Sequence, residues 1–378
     1  MKGDATDWVG SEPYAFMKFA VQCVIGLSRA LQGDVQTRAI QLVKYRGSDA
    51  KTGRYPYVID HSGLVIVPTQ QGRLAHKVSR ERISSGVERL DTVIGGGYMR
   101  GSATLISGAP GTAKTTLAAA LAAATAARGA RVLYVALDES FEQILLNVQS
   151  VGIDLQRPAA AGVLRGLSLQ ALSVAPEDHY VTVRKELETF APAVLIVDPV
   201  SALNSQFGQE RPRWVAEMLI DRAKSLGVTT LMTSLVGDRK EVIEDTESSV
   251  STIADTWITL AYAVSRGERN RTLSVVKSRG TNHSNQVREL VLSDAGVTLS
   301  DVYFRGGDVL LGTARLAHER RQRELDAEVS VVESQIVELQ ARLDLKRSEL
   351  QSEQDGESRR RSEATAREDR IKQSRRGD

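Results

Sequence analysis

The sequence predicts an α/β fold, a mainly parallel, doubly wound sheet followed by a C-terminal coiled coil, and three observations predict it. Short apolar runs of strand length alternate with helical stretches between residues 103 and 234. A glycine-rich turn joins the first of these strands to the first of these helices. Aliphatic residues recur at steps of four and three beyond residue 325.

The elements follow in order. Ala103–Ser107, Val132–Leu137, Val194–Val197 and Val228–Ser234 are apolar strands, and Thr115–Arg128 is a helix after the first of them. Beyond about Thr256 the strands are separated by turn signals at Gly267 and Gly280, which predicts antiparallel pairing that ends near Gly312. In the tail, Leu325, Val329, Val332, Ile336, Leu339, Leu343 and Leu350 form a seam with a period of 3.5 residues. Lys346 is its one polar position. After Gly356 the segment ESRRRSEATAREDRIKQSRRGD predicts a disordered, charged tail.

The beginning of the chain repeats a later part of it. Lys44-Tyr45-Arg46-Gly47-Ser48 resembles Lys277-Ser278-Arg279-Gly280-Thr281, an offset of 277 − 44 = 233. Val24-Ile25-Gly26-Leu27 and Gly63 meet Trp257-Ile258-Thr259-Leu260 and Gly296 at the same offset. The offset carries Gly108 to before residue 1, so the first copy has the C-terminal strands of the repeat and no phosphate cradle. The expected organisation is a remnant repeat over 1–75, a complete domain over 80–312, a coiled coil over 313–355 and a disordered tail over 356–378. The remnant's open sheet edge needs a cover.

Composition is that of a globular protein, 42% hydrophobic and 25% charged. A net charge of +2 gives no general attraction to nucleic acid or membrane. The single cysteine, Cys23, makes no internal disulfide and suits a reducing, cytoplasmic setting. The most apolar run, Leu117–Ala127, is too short to span a bilayer and reads as a buried helix.

The chemistry begins at Gly108-Ala109-Pro110-Gly111-Thr112-Ala113-Lys114-Thr115, which follows a predicted strand and, with Thr116, opens a helix. Glycines let backbone N–H groups wrap phosphate oxygens, and the helix N-terminus adds a favourable field. In such P-loops the lysine, here Lys114, neutralises the β- and γ-phosphates, and the following hydroxyl, here Thr115, holds Mg²⁺. Ala113 stands where a glycine is expected. Val194-Leu195-Ile196-Val197 delivers Asp198 to the same edge of the sheet as a ligand of Mg²⁺ or of a Mg²⁺-bound water. Asp138 and Glu139 end the intervening strand and suit general-base activation of water or a hydroxyl. Thr233 and Ser234 end the next strand, placed to sense a γ-phosphate.

Taken together these residues resemble the KaiC family, RecA-like circadian clock proteins. The resemblance covers roughly residues 14–316 and rests on SSGVERLDTVIGGGYMRGS, SGAPGTAKT, Leu137-Asp138-Glu139-Ser140, Val197-Asp198-Pro199-Val200-Ser201-Ala202-Leu203, KSRGTNH and Val309–Leu316. It implies a RecA-like P-loop NTPase fold, a hexameric ring with Mg-ATP between subunits, slow hydrolysis, and autophosphorylation across the interface. The acceptors it implies are Ser251 and Thr252, with Thr246 nearby. It also implies that Lys277 and Arg279 reach the neighbour's γ-phosphate, and that clock or signalling proteins are partners. Two cations one residue apart on a strand share a face, which supports that pairing independently. The equivalent Lys44 and Arg46 have no cradle to serve.

Three functions stay open on the sequence. One is an ATP-dependent Ser/Thr autokinase and ATPase. The second is a nucleotide-assembled scaffold, for which Ala113, the short first repeat and the coiled coil speak; the seam can pair two rings or bind a partner helix. The third, a RecA-type DNA-binding ATPase, is disfavoured because Glu241–Asp255 is acidic and repels phosphate.

Overall fold

A computed structural model describes residues 17–32, 35–47, 49, 53–68, 79–170, 174–204, 210–236, 252–265, 267–281, 284, 286–294, 296–305 and 308–374. The chain divides at Val302/Tyr303 into two compact units. In order, the first contains α1 (Met17–Ala20), β1 (Cys23–Gln32), β2 (Val35–Tyr45), β3 (Arg54–Asp60), β4 (Gly63–Ile66), β5 (Arg82–Ile83), α2 (Glu88–Val93), β6 (Tyr98–Met99), β7 (Ala103–Gly108) and α3 (Lys114–Ala127). It continues with β8 (Val132–Ala136), α4 (Phe141–Gln149), α5 (Gln156–Ala160), β9 (Leu164–Ser168), α6 (Pro176–Phe190), β10 (Val194–Asp198) and α7 (Glu210–Ser225). It closes with β11 (Thr229–Leu235), β12 (Thr256–Ser265), β13 (Glu268–Ser278), β14 (Arg288–Ser293) and β15 (Gly296–Asp301).

The main sheet has nine strands in the order β15-β14-β13-β12-β7-β11-β10-β8-β9. From β12 to β9 every pairing is parallel, and β13, β14 and β15 extend the sheet antiparallel from β12. The apolar runs of β7, β8 and β10 are continuous because both faces are covered. Alternate residues enter opposite layers. Ile106, Tyr134 and Ile196 pack with α2, α3 and α4, whereas Leu105, Leu133 and Leu195 pack with α6 and α7. Each fully buried Leu or Ile contributes roughly 1.5–3 kcal/mol. In α3 the alanines Ala118, Ala119, Ala120 and Ala122 are buried with Leu117 and Leu121, so the helix lies close against the sheet. The edge strand β9 has no apolar alternation in the sequence; only Leu164 is buried, two residues are half-buried and two exposed.

β1–β4 form a separate four-stranded antiparallel sheet whose geometry matches β12–β15 at an offset of 256 − 23 = 233. The β1–β2 pair carries an irregularity between Val24 and Ile25, and the β12–β13 pair carries one between Trp257 and Ile258. Ala39 faces Pro56, and Thr272 faces Glu289. Gly63 and Gly296 both turn with φ of 108°. The Arg46 N–H donates to Gln22 O at 2.9 Å, and the Arg279 N–H donates to Asp255 O at 2.9 Å. The surroundings differ, however. β12 is bordered by β7, and its face, with Ile258 and Leu260, is buried in the core that includes α2 and α3. On β1 the equivalent Ile25 and Leu27 are exposed. The opposite face of the small sheet is covered, Val58 and Val67 packing with residues of α6.

The second unit contains the hairpin of β16 (Tyr303–Arg305) and β17 (Asp308–Leu310) and the 63-residue helix α8 (Gly312–Ser374). The disordered tail expected from residue 356 is corrected here. The helix runs through Gly356 and on to Ser374. One glycine costs only about 1 kcal/mol in a helix, and the Glu, Arg and Ala around it are good helix formers. Among the described residues no helix is long and apolar enough to cross a membrane.

Candidate phosphate-binding site

β7 ends at Gly108, and the chain turns through residues 109–113 before α3 starts at Lys114. A Cβ on Gly108 would lie 2.5 Å from the Leu260 carbonyl oxygen of β12, so close backbone approach requires glycine there. Gly111 and Ala113 both adopt left-handed backbone, with φ of 75° and 79°. For Ala113 that conformation costs about 1–2 kcal/mol. Ala113→Gly removes the strain and adds chain entropy of about 0.5–1 kcal/mol to the unfolded state. We therefore expect a modest rise in stability, about 0.5–1 kcal/mol, in urea unfolding without nucleotide; a loss of stability would show that the Ala113 methyl packs better than it strains.

Lys114 is buried at 7% exposure, and its Nζ donates to Gly108 O and Ala109 O, each at 2.8 Å. Burial lowers its pKa to about 8, against an opposing pull from Asp198. The Thr112 hydroxyl donates to Ala109 O at 2.8 Å. No side chain caps the start of α3, which leaves its first amides available to an anion.

Asp198 is 5% exposed. The Tyr134 hydroxyl of neighbouring β8 donates to one carboxylate oxygen at 2.6 Å, and the Thr233 hydroxyl of β11 donates to the other. Each oxygen keeps a lone pair for a metal or its water. Burial, with the Asp198 charge, raises the Tyr134 pKa well above its ordinary value, so the phenol stays a donor. The Ser234 hydroxyl instead donates to Leu235 O at 3.3 Å.

Asp138 and Glu139 lie just beyond the end of β8, both exposed. Ser140 caps α4 by accepting from the Gln143 N–H at 3.2 Å, and Asn147 Nδ2 donates to Glu139 at 3.0 Å. These contacts hold Glu139 at the rim.

One cavity of about 420 Å³ gathers Pro110, Gly111, Ala113, Lys114, Thr115, Thr116, Asp138, Glu139 and Asp198, with Ile144, Leu235 and Leu292 among its walls. Five strand ends thereby converge, as expected at the carboxyl edge of a doubly wound sheet. The donor set fits Mg-triphosphate: a buried ammonium, uncapped amides, and Thr115 with Asp198 as oxygen ligands. Among the described residues no cluster of three or more His, Cys, Asp or Glu forms a metal cage.

Lys277 and Arg279 do not line this cavity. β13 ends at Ser278, so their shared direction does not come from strand alternation alone. The turn after β13, pinned by the Arg279 N–H to Asp255 O, brings both cations to one acceptor. Lys277 Nζ and Arg279 Nη2 reach Thr252 O at 3.4 and 3.5 Å. Partial burial, and then the Arg279 charge, lower the Lys277 pKa. Asp255 anchors the group, accepting from Lys224 at 2.6 Å and the Ala103 N–H at 2.8 Å. Ser251 and Thr246 lie outside the described residues.

Two contacts were not foreseen. Tyr134 is a polar tip inside an apolar strand, a signal that it needs a buried acceptor. Arg271 Nε donates to Gly111 O at 3.0 Å, and Tyr262, with Arg269 3.6 Å from its ring centre, sits over the same loop. Nothing local in the sequence marks that contact, since 160 residues separate the partners.

A parallel-centred sheet with a lysine-bearing cradle at β7–α3 and an acid ending β10 defines a P-loop NTPase of RecA-like fold. The comparisons name the family: the model for the ATPase KaiC matches residues 9–71 and 83–302, and the chain belongs to the KaiC ATPase family. It is 38% identical over 346 residues to the circadian clock protein KaiC2 of Synechocystis sp., covering 89% of this chain and 61% of that protein. It is 32% identical over 300 residues to the circadian clock oscillator protein KaiC of Synechococcus elongatus, covering 79% and 58%. It is 34% identical over 293 residues to that of Parathermosynechococcus lividus, covering 78% and 54%. The chain thus spans about three fifths of the length of these relatives.

Proposed function

We propose that the chain binds and hydrolyses Mg-ATP and phosphorylates its own Ser251 and Thr252 within an ATP-assembled hexameric ring. One observation carries this reading: Lys114, Thr115, Asp198, Asp138 and Glu139 meet in a single cavity. Lys114 and the loop amides hold the phosphates, Thr115 and Asp198 hold Mg²⁺, and Asp138 or Glu139 accepts the proton of water or of the attacking hydroxyl. Bound Mg-ATP supplies the transferable phosphoryl group. Lys277 and Arg279, outside the cavity of their own subunit, are cations for an adjoining site, the arrangement in which trans arginines accelerate phosphoryl transfer about 10³–10⁵-fold. Thr252 beside them is a fitting acceptor. Residues 1–75 are read as belonging to a first copy of the repeat, supported by the shared registers and by the two separate segments matched to one family. A cytoplasmic setting and clock or signalling partners belong to the same proposal.

Incubation with γ-labelled ATP tests it. Label is expected on Ser251 or Thr252 and lost in Arg279→Ala. Mixing Arg279→Ala with Lys114→Met should restore label to the Lys114→Met subunits, because each variant lacks what the other supplies. No restoration would place Arg279 in cis or outside the reaction. The left-handed Ala113 favours a second reading, a nucleotide-assembled scaffold with feeble catalysis. Stable rings on Mg-ATP with no label would select it.

A further inference from the structure

Among the described residues of its own unit, nothing covers the seam of α8. Its residues Leu325, Val329, Val332, Ile336, Leu339, Leu343 and Leu350 are each between 40% and 58% exposed. A helix of this length is stabilised chiefly by packing an apolar face, so the seam calls for an occupant. The charges flanking it identify one.

With Val329, Ile336, Leu343 and Leu350 at heptad position a, and Leu325, Val332, Leu339 and Lys346 at d, the flanking positions are e and g. In a parallel pair each g residue faces the e residue of the next heptad on the other helix. Glu328 would then face a second Glu333, Arg342 a second Arg347, and Lys346 would stack on its own copy in the core. In an antiparallel pair g faces g and e faces e. One register, in which Val332 packs on Ile336 of the second copy, Val329 on Leu339 and Leu325 on Leu343, keeps these central core layers apolar. It sets Arg321 opposite Glu349, Glu328 opposite Arg342, and Glu319 opposite Arg347. Its one like-charge contact is Glu333 with itself at the two-fold axis. Sliding by a heptad one way opposes Glu328 to Glu349, and the other way Arg321 to Arg342. The pattern is self-complementary in one orientation and one register, the mark of an isologous two-fold interface.

We propose that α8 is an antiparallel two-stranded coiled coil formed with a second copy of this chain, centred between Val332 and Ile336. The surface Val331, Val337 and Leu345 lie off this seam and are not part of it. The proposal does not depend on ATP chemistry, and it joins two assemblies tail to tail if rings form.

Cysteine pairing in the full-length chain, with Cys23→Ser to remove the native thiol, tests orientation and register together. Leu325→Cys and Leu343→Cys occupy one core layer of the antiparallel pair. A disulfide is expected when the two variants are co-expressed and refolded together, and none from either alone, where like positions sit 18 residues, about 27 Å, apart. Links within a single variant would show a parallel pair and overturn the proposal, as would no links in any sample. Charge reversal gives a second reading of opposite sign for the two orientations. Arg342→Glu should raise the dimer dissociation constant roughly 10-fold, and adding Glu328→Arg should restore it. Tighter association of Arg342→Glu alone would favour the parallel arrangement and overturn ours.

Discussion

Lys114→Met should lose Mg-ATP binding by about 10²–10³-fold in Kd while the nucleotide-free protein folds as well as before. Arg271 also reaches the loop, at Gly111 O, but only the lysine is buried beneath it, its ammonium already drawn to Gly108 O and Ala109 O. Methionine keeps the volume and removes the charge. Folding holds this ammonium at a depressed pKa of about 8 because it is buried. Between pH 8 and its ordinary 10.5 the folded protein therefore binds fewer protons than the unfolded chain, and this group makes the apo protein more stable as pH rises through that window. Removing the buried cation removes that slope and, near neutral pH, leaves apo stability equal or higher. Nucleotide binding has the opposite sign, since a triphosphate needs the cation, and affinity in the unsubstituted protein should fall above pH 8. Thermal shift with and without Mg-ATP across pH 6–10 checks both. An unchanged ligand-induced shift in Lys114→Met would mean the phosphates sit elsewhere.

Asp198→Asn should lower Mg-dependent turnover by about 10²–10³-fold and cost about 1–3 kcal/mol of stability. The two effects have one origin. The Tyr134 and Thr233 hydroxyls donate to different oxygens of this buried carboxylate. An amide offers one acceptor oxygen, so one hydroxyl must turn and accept instead. The remaining oxygen is a neutral, weaker ligand for Mg²⁺. Nucleotide binding measured in EDTA should change little, and its enhancement by Mg²⁺ should shrink. Retention of full Mg²⁺ dependence would remove Asp198 from the metal site.

What could be read in advance was what is written in consecutive residues. The cradle from Gly108 to Thr116 is such a stretch, because its work is done by backbone amides and glycine conformations that neighbouring residues dictate. The strands Val132–Ala136 and Val194–Asp198 were legible for a related reason: a strand covered on both faces must be apolar at every position, which few other environments require. The edge strand Leu164–Ser168 carries no such constraint and left no mark. The tail was legible as a heptad seam but not in extent, since a charged helix and a charged disordered tail share a composition.

The sequence by itself determined the phosphate loop, the two-layer strand pattern and the 233-residue repeat, each encoded by spacing along the chain. Only the tertiary structure decided that Tyr134 and Thr233 share Asp198, that Arg271 grips the loop at Gly111, and that Lys277 and Arg279 turn toward Thr252 rather than into their own cavity. The reason is strand order. β7 pairs with β11 and β8 with β10, strands that are neighbours in the sheet but not in the chain, and contacts across such neighbours follow from which strands pair, not from local propensity.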